Sequence, residues 1–549
     1  MLFSRSAQSF SFLNWIRGVG RVLTGNVGVA SLAGFLLLGG QLLNAPRGQA
    51  EAQELSPAQT VSVPVEDSQI AAALERLDGM SLGSLKRSGV PGLAVAVTWK
   101  GKTVFAKGYG VRASGKPDRV NADTVFQIAS VSKSLAATVV AGHVDARKIR
   151  WDDLVVSYLP DFRLQNEAVT DMVTLGDLFA HRSGLPDHAG DDLEDLGFNR
   201  AEVLARLHLL PLGGFRTDYA YTNFGLTAAA EAVAVASGTD WATLSENILY
   251  TPLAMDRTSS RFSDFMARDN KALPHVRDNG QFESLYQRQP DAQSPAGGVS
   301  SSVTDLAKWI ALVLGEGSCN GKSVIDAQML LEATTAEVIS GPSRSLDARP
   351  SLYGYGFNVG VEPSGRVTLS HSGAFALGAA TSFLMVPSLD LGIIVLTNGE
   401  PFGVPESLAR SFIDVVEYGE PRRDWLAGYQ RLLKPLMQPV GMMAGKPVPV
   451  AALPAAPLTD YAGTYSNSYF GPAAVLSDGN EVTLEIGPAG LKYDLKHWDG
   501  DTFFFEPRLE NAPAGSRSLV RFERGPTVGF GSLWIEYLDE YGLGTFERN

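Results

Sequence analysis

Phe126-Gln127-Ile128-Ala129-Ser130-Val131-Ser132-Lys133 is an apolar run that turns into a helix. Leu135, Val139, Val140 and Val144 continue it on one apolar face, and Ala136, Ala137 and Ala141 favour helix. The spacing predicts a helix over 130–145 with Ser130 at its N-terminus. Lys133 follows one turn later, on the same face, because residues i and i+3 are neighbours there. A serine hydroxyl is a poor nucleophile at neutral pH and needs a base within hydrogen-bond reach. Lysine serves when burial or nearby positive charge lowers its pKa. A helix start also offers backbone N–H groups and a dipole that favour developing negative charge. The alternative is that Ser130 or Ser132 only caps the helix and Lys133 is solvated.

Working outward, a helix is predicted over 69–86, where Ile70, Leu74, Leu77 and Leu82 recur near helical spacing. Leu93–Trp99 reads as an apolar strand, with Lys100-Gly101-Lys102 as turn and a return strand from Thr103 that ends near Gly108 and Gly110. Residues 150–345 read as mostly helical with long loops. Strands return at Val367–Leu369, Thr381–Val386 and Leu391–Thr397. The last is nearly all apolar, as a central strand covered on both faces must be. A helix over 405–418 follows. These elements predict an α/β fold: an antiparallel sheet built from both ends of residues 67–434, flanked by helices, with an all-helical subdomain between. Residues 435–456 are proline-rich and read as a linker. Residues 457–549 hold short aromatic-rich strands broken by turn residues, and predict a small antiparallel β-barrel.

Two further stretches carry candidate chemistry. In Tyr219-Ala220-Tyr221-Thr222-Asn223-Phe224-Gly225, a tyrosine near a lysine ammonium has its phenolate stabilised and could move a proton. Asn223, two residues on, could face the same side and hold a substrate amide. His371-Ser372-Gly373-Ala374 follows a strand predicted to end at Ser370. There His371 and Ser372 could contact substrate, Gly373 would let its backbone come close, and the Ala374 N–H would join that of Ser130 as an oxyanion donor. The seven histidines are scattered without metal-ligand spacing, so no metal and no cofactor is expected. Cys319 is the sole cysteine, which excludes an intrachain disulfide.

Net charge is −13, which argues against a nucleic-acid partner. At the N-terminus, Arg5, Arg17, Arg21 and Arg47 precede any acid. An apolar stretch runs from Val27 to Leu43, and Ala50-Glu51-Ala52 is a small-x-small pattern. This order reads as export in residues 1–52: a cleaved signal, an uncleaved membrane anchor facing the periplasm, or an organelle transit peptide. Residues 53–66 read as a polar linker.

The three motifs, in this order, resemble the serine β-lactamase and penicillin-binding superfamily, whose S-x-x-K box matches Ser130 to Lys133. The class C-like branch, with its D-amino-acid peptidases, carboxypeptidases and esterases, is the most similar. Leu178-Phe-Ala-His-Arg-Ser-Gly-Leu-Pro186, Pro252-Leu-Ala-Met-Asp-Arg-Thr258 and Pro295-Ala-Gly-Gly-Val-Ser-Ser-Ser-Val-Thr-Asp-Leu-Ala307 match further stretches of it. The resemblance implies an acyl-enzyme on Ser130, a coupled proton-transfer pair of Lys133 and Tyr221, substrate binding by Asn223, and a structural His181. The class C β-lactamases carry Lys-Thr-Gly where this chain has His371-Ser372-Gly373. That departure points to the branch's peptidases, acting on small peptides or on amide and ester substrates; hydrolysis of linearised microcystin is one such activity. Tyr461-Ala-Gly-Thr-Tyr465 resembles the opening of small lipocalin-like domains appended to such peptidases. An oligomer is compatible with all of this. The C-terminal domain is expected to fold independently and either to restrict access for peptides, the favoured role, or only to mediate oligomer contacts; truncation after about residue 440 should leave Ser130 reactive.

Overall fold

The computed structural model describes residues 61, 63–146, 148–525 and 529–549. The expectations for residues 1–52, and for residues 53–60 of the first linker, lie outside the described residues. Among the described residues no helix is long and apolar enough to cross a membrane.

Among the described residues one antiparallel sheet has eight strands. Its order is Lys102–Gly110, Gly92–Trp99, Leu391–Thr397, Ala379–Val386, Val367–Phe375, Asn358–Val361, Ser351–Tyr353 and Val338–Gly341. The first hairpin thus pairs directly with the last strand, Val95 opposite Val395, and both ends of the domain close one sheet. The central strands are apolar throughout because alternate residues enter different cores. Leu93, Val95 and Val97 pack with Ile70, Leu408 and Phe412 of the helices Asp67–Ser88 and Val404–Tyr418. Ala94 and Ala96 face the opposite layer, with Trp309 and Ile310 of the helix Val303–Leu314. The first of these helices is held at its start by a reciprocal Glu66–Gln69 capping box and stopped by Gly89 in the left-handed region.

Two local corrections bear on the site. The helix predicted from Ser130 begins at Ser132 and runs to Asp145; Ser130 sits in a 3-10 turn, Ala129–Val131, just ahead of it. The strand predicted to stop at Ser370 continues to Phe375, so the His371–Ala374 segment is strand interior and not a loop after it. The helix Trp425–Leu433 follows without having been anticipated.

Residues 435–456 lie along the C-terminal domain. Val440 N–H donates to Ser516 Oγ at 3.0 Å, and Leu453 N–H to Asp499 Oδ1 at 2.6 Å. Among the described residues, nine antiparallel strands form the second sheet, from Leu491–Asp494 at one edge to Lys496–Asp499 at the other. Only Leu495 separates those edge strands in sequence, so the sheet curls into a nearly closed barrel. Its interior is aromatic: Tyr461 stacks on Phe530 and packs edge-on against Phe503. His497 Nε2–H donates to the Gly500 carbonyl oxygen at 2.9 Å, within its own turn.

Candidate active site

Ser130 is placed by a strained turn. Ala129, immediately before it, has φ +46°, a left-handed conformation that costs a non-glycine residue about 1 kcal/mol or more. Burial holds it there: Ala129 packs in a small apolar cluster with Phe375 and Ala379. Gly373 lies against the same turn. A Cβ there would clash with the Ile128 carbonyl oxygen and come within 3.0 Å of Ser130 N. The close approach of strand to nucleophile turn therefore requires glycine.

Lys133, on the first turn of the helix, is completely buried. Its Nζ lies 3.1 Å from Ser130 Oγ, 2.6 Å from Asn223 Oδ1 and 2.9 Å from the Ala296 carbonyl oxygen. Burial depresses its pKa to about 7, against the opposing pull of the Asp191 carboxylate. Tyr221 donates its hydroxyl to Ser130 Oγ at 2.7 Å, and its ring lies 4.5 Å below Lys133 Nζ. Burial, with the charges of Asp191 and Asp187, raises the Tyr221 pKa, although the bond to Ser130 opposes this. Tyr221 thus stands as a neutral phenol that donates to Ser130.

Asn223 begins the helix Asn223–Ser237, and both ends of its amide are taken. Oδ1 faces the Lys133 amine, and Nδ2 donates to Asp191 Oδ2 at 2.8 Å. The partners set the orientation, since a carboxylate can only accept. Asn223 therefore orients Lys133 rather than standing free for a substrate amide. Asp191 Oδ2 also meets His188 Nδ1 at 2.8 Å. The surrounding protein disfavours a cation at His188, but the bond to Asp191 and the charges of Asp187 and Glu540 raise its pKa to about 9. Asp191 and His188 were not singled out from the sequence; an acid-rich turn after Pro186 was the only signal.

Strand alternation sorts the third motif. His371 and Gly373 face the nucleophile side. Ser372 faces the other side of the sheet, where its Oγ meets Ser382 Oγ at 3.5 Å and the Glu406 carboxyl. The expectation that the Ser372 side chain meets substrate is corrected accordingly. Ala374 shares that outer face and offers the site only its backbone. His371 is buried, and burial with the nearby Lys133 lowers its pKa to about 3. Its Nδ1 lies 2.7 Å from the Ser372 carbonyl and so carries the proton; Nε2, 3.0 Å from Tyr353 Oη, accepts from the phenol. Both ring nitrogens are occupied, so His371 forms a fixed wall. Tyr353, whose partnership with His371 was not foreseen, is itself fully buried. His181 accepts from Thr222 N–H at 3.2 Å and packs its ring on Tyr221 at 4.6 Å. Among the described residues no group of three or more histidine, cysteine or carboxylate side chains could hold a metal ion.

Comparison with known proteins places this arrangement. Residues 70–417 match the family model described as Beta-lactamase, and residues 448–539 match a domain of unknown function (DUF3471). The unguisins hydrolase ungD of Aspergillus violaceofuscus is 26% identical over 460 residues, covering 76% of this chain and 80% of that protein. Penicillin-binding protein 4 of Amycolatopsis lactamdurans is 28% identical over 320 residues, covering 56% of this chain and 81% of that one. In fold, the octameric penicillin-binding protein homologue from Pyrococcus abyssi has a TM-score of 0.57 at 18% identity, over 86% of this chain and 99% of that chain. SurE has a TM-score of 0.51 at 21% identity, over 87% of this chain and 100% of that chain. With its sheet, its helices and well over half its length accounted for in this way, the chain belongs to the β-lactamase family, within the superfamily of serine β-lactamases and penicillin-binding proteins.

Proposed function

We propose that the protein is a serine hydrolase that forms an acyl-enzyme on Ser130 and acts on linear peptides, including those with D- or other unusual residues. The observation that carries this is Lys133: buried, held near neutrality, with Nζ 3.1 Å from Ser130 Oγ. A neutral amine has two N–H donors and one lone pair. Asn223 Oδ1 and the Ala296 carbonyl take the two donors, which leaves the lone pair for the Ser130 hydroxyl. Ser130 Oγ then attacks the substrate carbonyl carbon while its proton passes to Lys133. The Tyr221 hydroxyl gives its proton to the leaving group and recovers one from Lys133, so the pair ends as it began. Water enters by the reverse path and releases the acid. The N–H groups of Ser130 and Ala374 are assigned to the oxyanion.

The preference for peptides rests on the histidine in the third motif, and hydrolysis itself is supported by the likeness to a named hydrolase of unguisins. Esterase or β-lactamase action is the second reading, favoured by the likeness to a penicillin-binding protein. Export, by the basic–apolar–small order of residues 1–52, belongs to the same proposal. Labelling with a fluorophosphonate or a fluorescent penicillin, followed by peptide mapping to Ser130, tests the acyl-enzyme. Turnover across linear peptides, D-amino-acid amides, short esters and a chromogenic cephalosporin decides the substrate. Absence of labelling on the folded protein would point to a peptide- or β-lactam-binding protein instead.

A further inference from the structure

The helix Asp191–Asp195 has five residues, too short to be stable alone, so its neighbours decide where it sits. On the core side, Asp191 Oδ2 accepts from Asn223 Nδ2, which places it one residue from Lys133. On the other side stands the C-terminal barrel. Tyr469 donates to Asp192 Oδ1 at 3.0 Å, Tyr537 to Asp195 Oδ2 at 3.2 Å, and Asn511 Nδ2 to the same oxygen at 3.1 Å. Just past the helix the backbones themselves meet: Ala489 N–H donates to the Leu196 carbonyl at 3.2 Å. Gly487 packs so closely there that a Cβ would clash with that carbonyl. The barrel also reaches the opposite wall of the site. Glu510 Oε1 and Oε2 accept from the N–H groups of Ala376 and Leu377, at 2.6 and 3.3 Å, in the turn that ends the His371–Gly373 strand. Arg288 ties these contacts together, pairing with Glu194 of the helix and lying 3.7 Å from Glu510.

We propose that the barrel is a working part of the reaction centre: Tyr469 and Tyr537 hold the helix so that Asp191 fixes Asn223, and Asn223 fixes the Lys133 amine against Ser130. These are positioning residues, and the proposal rests on Lys133 acting as the base. It departs from the expectation that the barrel only restricts access and that Ser130 works without it. The barrel thus bonds to the residue beside Asp191 and to both walls of the cluster. The charged and titratable groups facing Lys133 are Asp191, Tyr221, His181 and His371. Those facing Asp191 are Lys133, His188, Asp192, Glu194, Tyr221, Tyr469, Glu540 and Tyr541.

The test uses the full chain carrying Tyr469→Phe and Tyr537→Phe together, which removes two hydroxyls and little else. Its rate of labelling by a small fluorophosphonate and its kcat for a small ester should fall about ten- to a hundredfold, as for a misplaced catalytic group, with KM for the ester unchanged. Asp191→Asn reads only the inner half of the link, from Asp191 to Lys133. Its amide oxygen can still accept from Asn223, but its charge no longer favours the Lys133 ammonium, so the acid limb of the labelling rate should move to lower pH. A double variant that keeps the wild-type labelling rate, or loses only KM for long peptides, overturns the proposal. If the double variant does not fold, Tyr469→Phe alone carries the same readout: a wild-type labelling rate and kcat overturn the proposal, and a fall in both at unchanged KM supports it. A wild-type protein that does not label at all sinks the acyl-enzyme itself, and this proposal with it.

Discussion

Lys133 Nζ lies 2.6 Å from Asn223 Oδ1, and that single bond ties the reactive helix to the helix Asn223–Ser237 ninety residues away in sequence. With Asn223 and the Ala296 carbonyl both accepting from it, the amine is aimed at Ser130. Replacing Lys133 by Ala removes the base and leaves the turn at Ser130 intact. Labelling of Ser130 should slow by ~10²–10⁴, and Ser130→Ala should abolish labelling in a protein that still melts cooperatively. Near-normal turnover by folded Ser130→Ala would end the assignment of the nucleophile.

The pH dependence follows from the depressed Lys133 pKa of about 7. Below that value the amine carries a proton and has no lone pair for the Ser130 hydroxyl; above it the lone pair is free. The labelling rate should therefore climb through neutrality and level off on the alkaline side. A rate that is flat or falls as pH rises through this range would show that Lys133 is not the base.

Gly373→Ala puts a methyl group into the Ile128 carbonyl and against Ser130 N. The strand must back away from the nucleophile turn, at a cost on the order of 1–3 kcal/mol. Both the denaturant midpoint and the labelling rate should drop. A variant with the wild-type rate would mean that the strand need not touch the turn.

Tyr353→Phe deprives the buried His371 Nε2 of its donor. An unpaired buried acceptor costs about 1–3 kcal/mol, so chemical denaturation should show a loss in that range. An unchanged midpoint would show that the Tyr353–His371 bond contributes nothing net.

Dialysis against a chelator should leave turnover intact, since the proton path needs only Lys133 and Tyr221. Activity lost on chelation and restored by zinc would contradict this.

Much of this molecule was legible in the sequence, for a physical reason. Hydrophobic periodicity is local, so the helix after Ser130, the hairpin from Leu93 and the buried strand Leu391–Thr397 could each be read from a dozen residues. The pairing of Ser130 with Lys133 was readable because i and i+3 meet on any helix. What the tertiary structure decided were relationships between distant segments. Strand alternation turned Ser372 away from the site once the strand was seen to run on to Phe375. Asn223 looked free until Lys133 and Asp191 were found on its two ends. Tyr221 could be read as a proton carrier, but only the fold showed that burial and the charges of Asp191 and Asp187 hold its pKa up. The barrel looked detachable until Tyr469, Tyr537 and Glu510 were found bonded to both walls of the site. Composition and spacing encode which element forms. Protonation states, side-chain orientation and the neighbour across an interface depend on desolvation and on contacts between residues hundreds of positions apart, and only the folded chain brings those together.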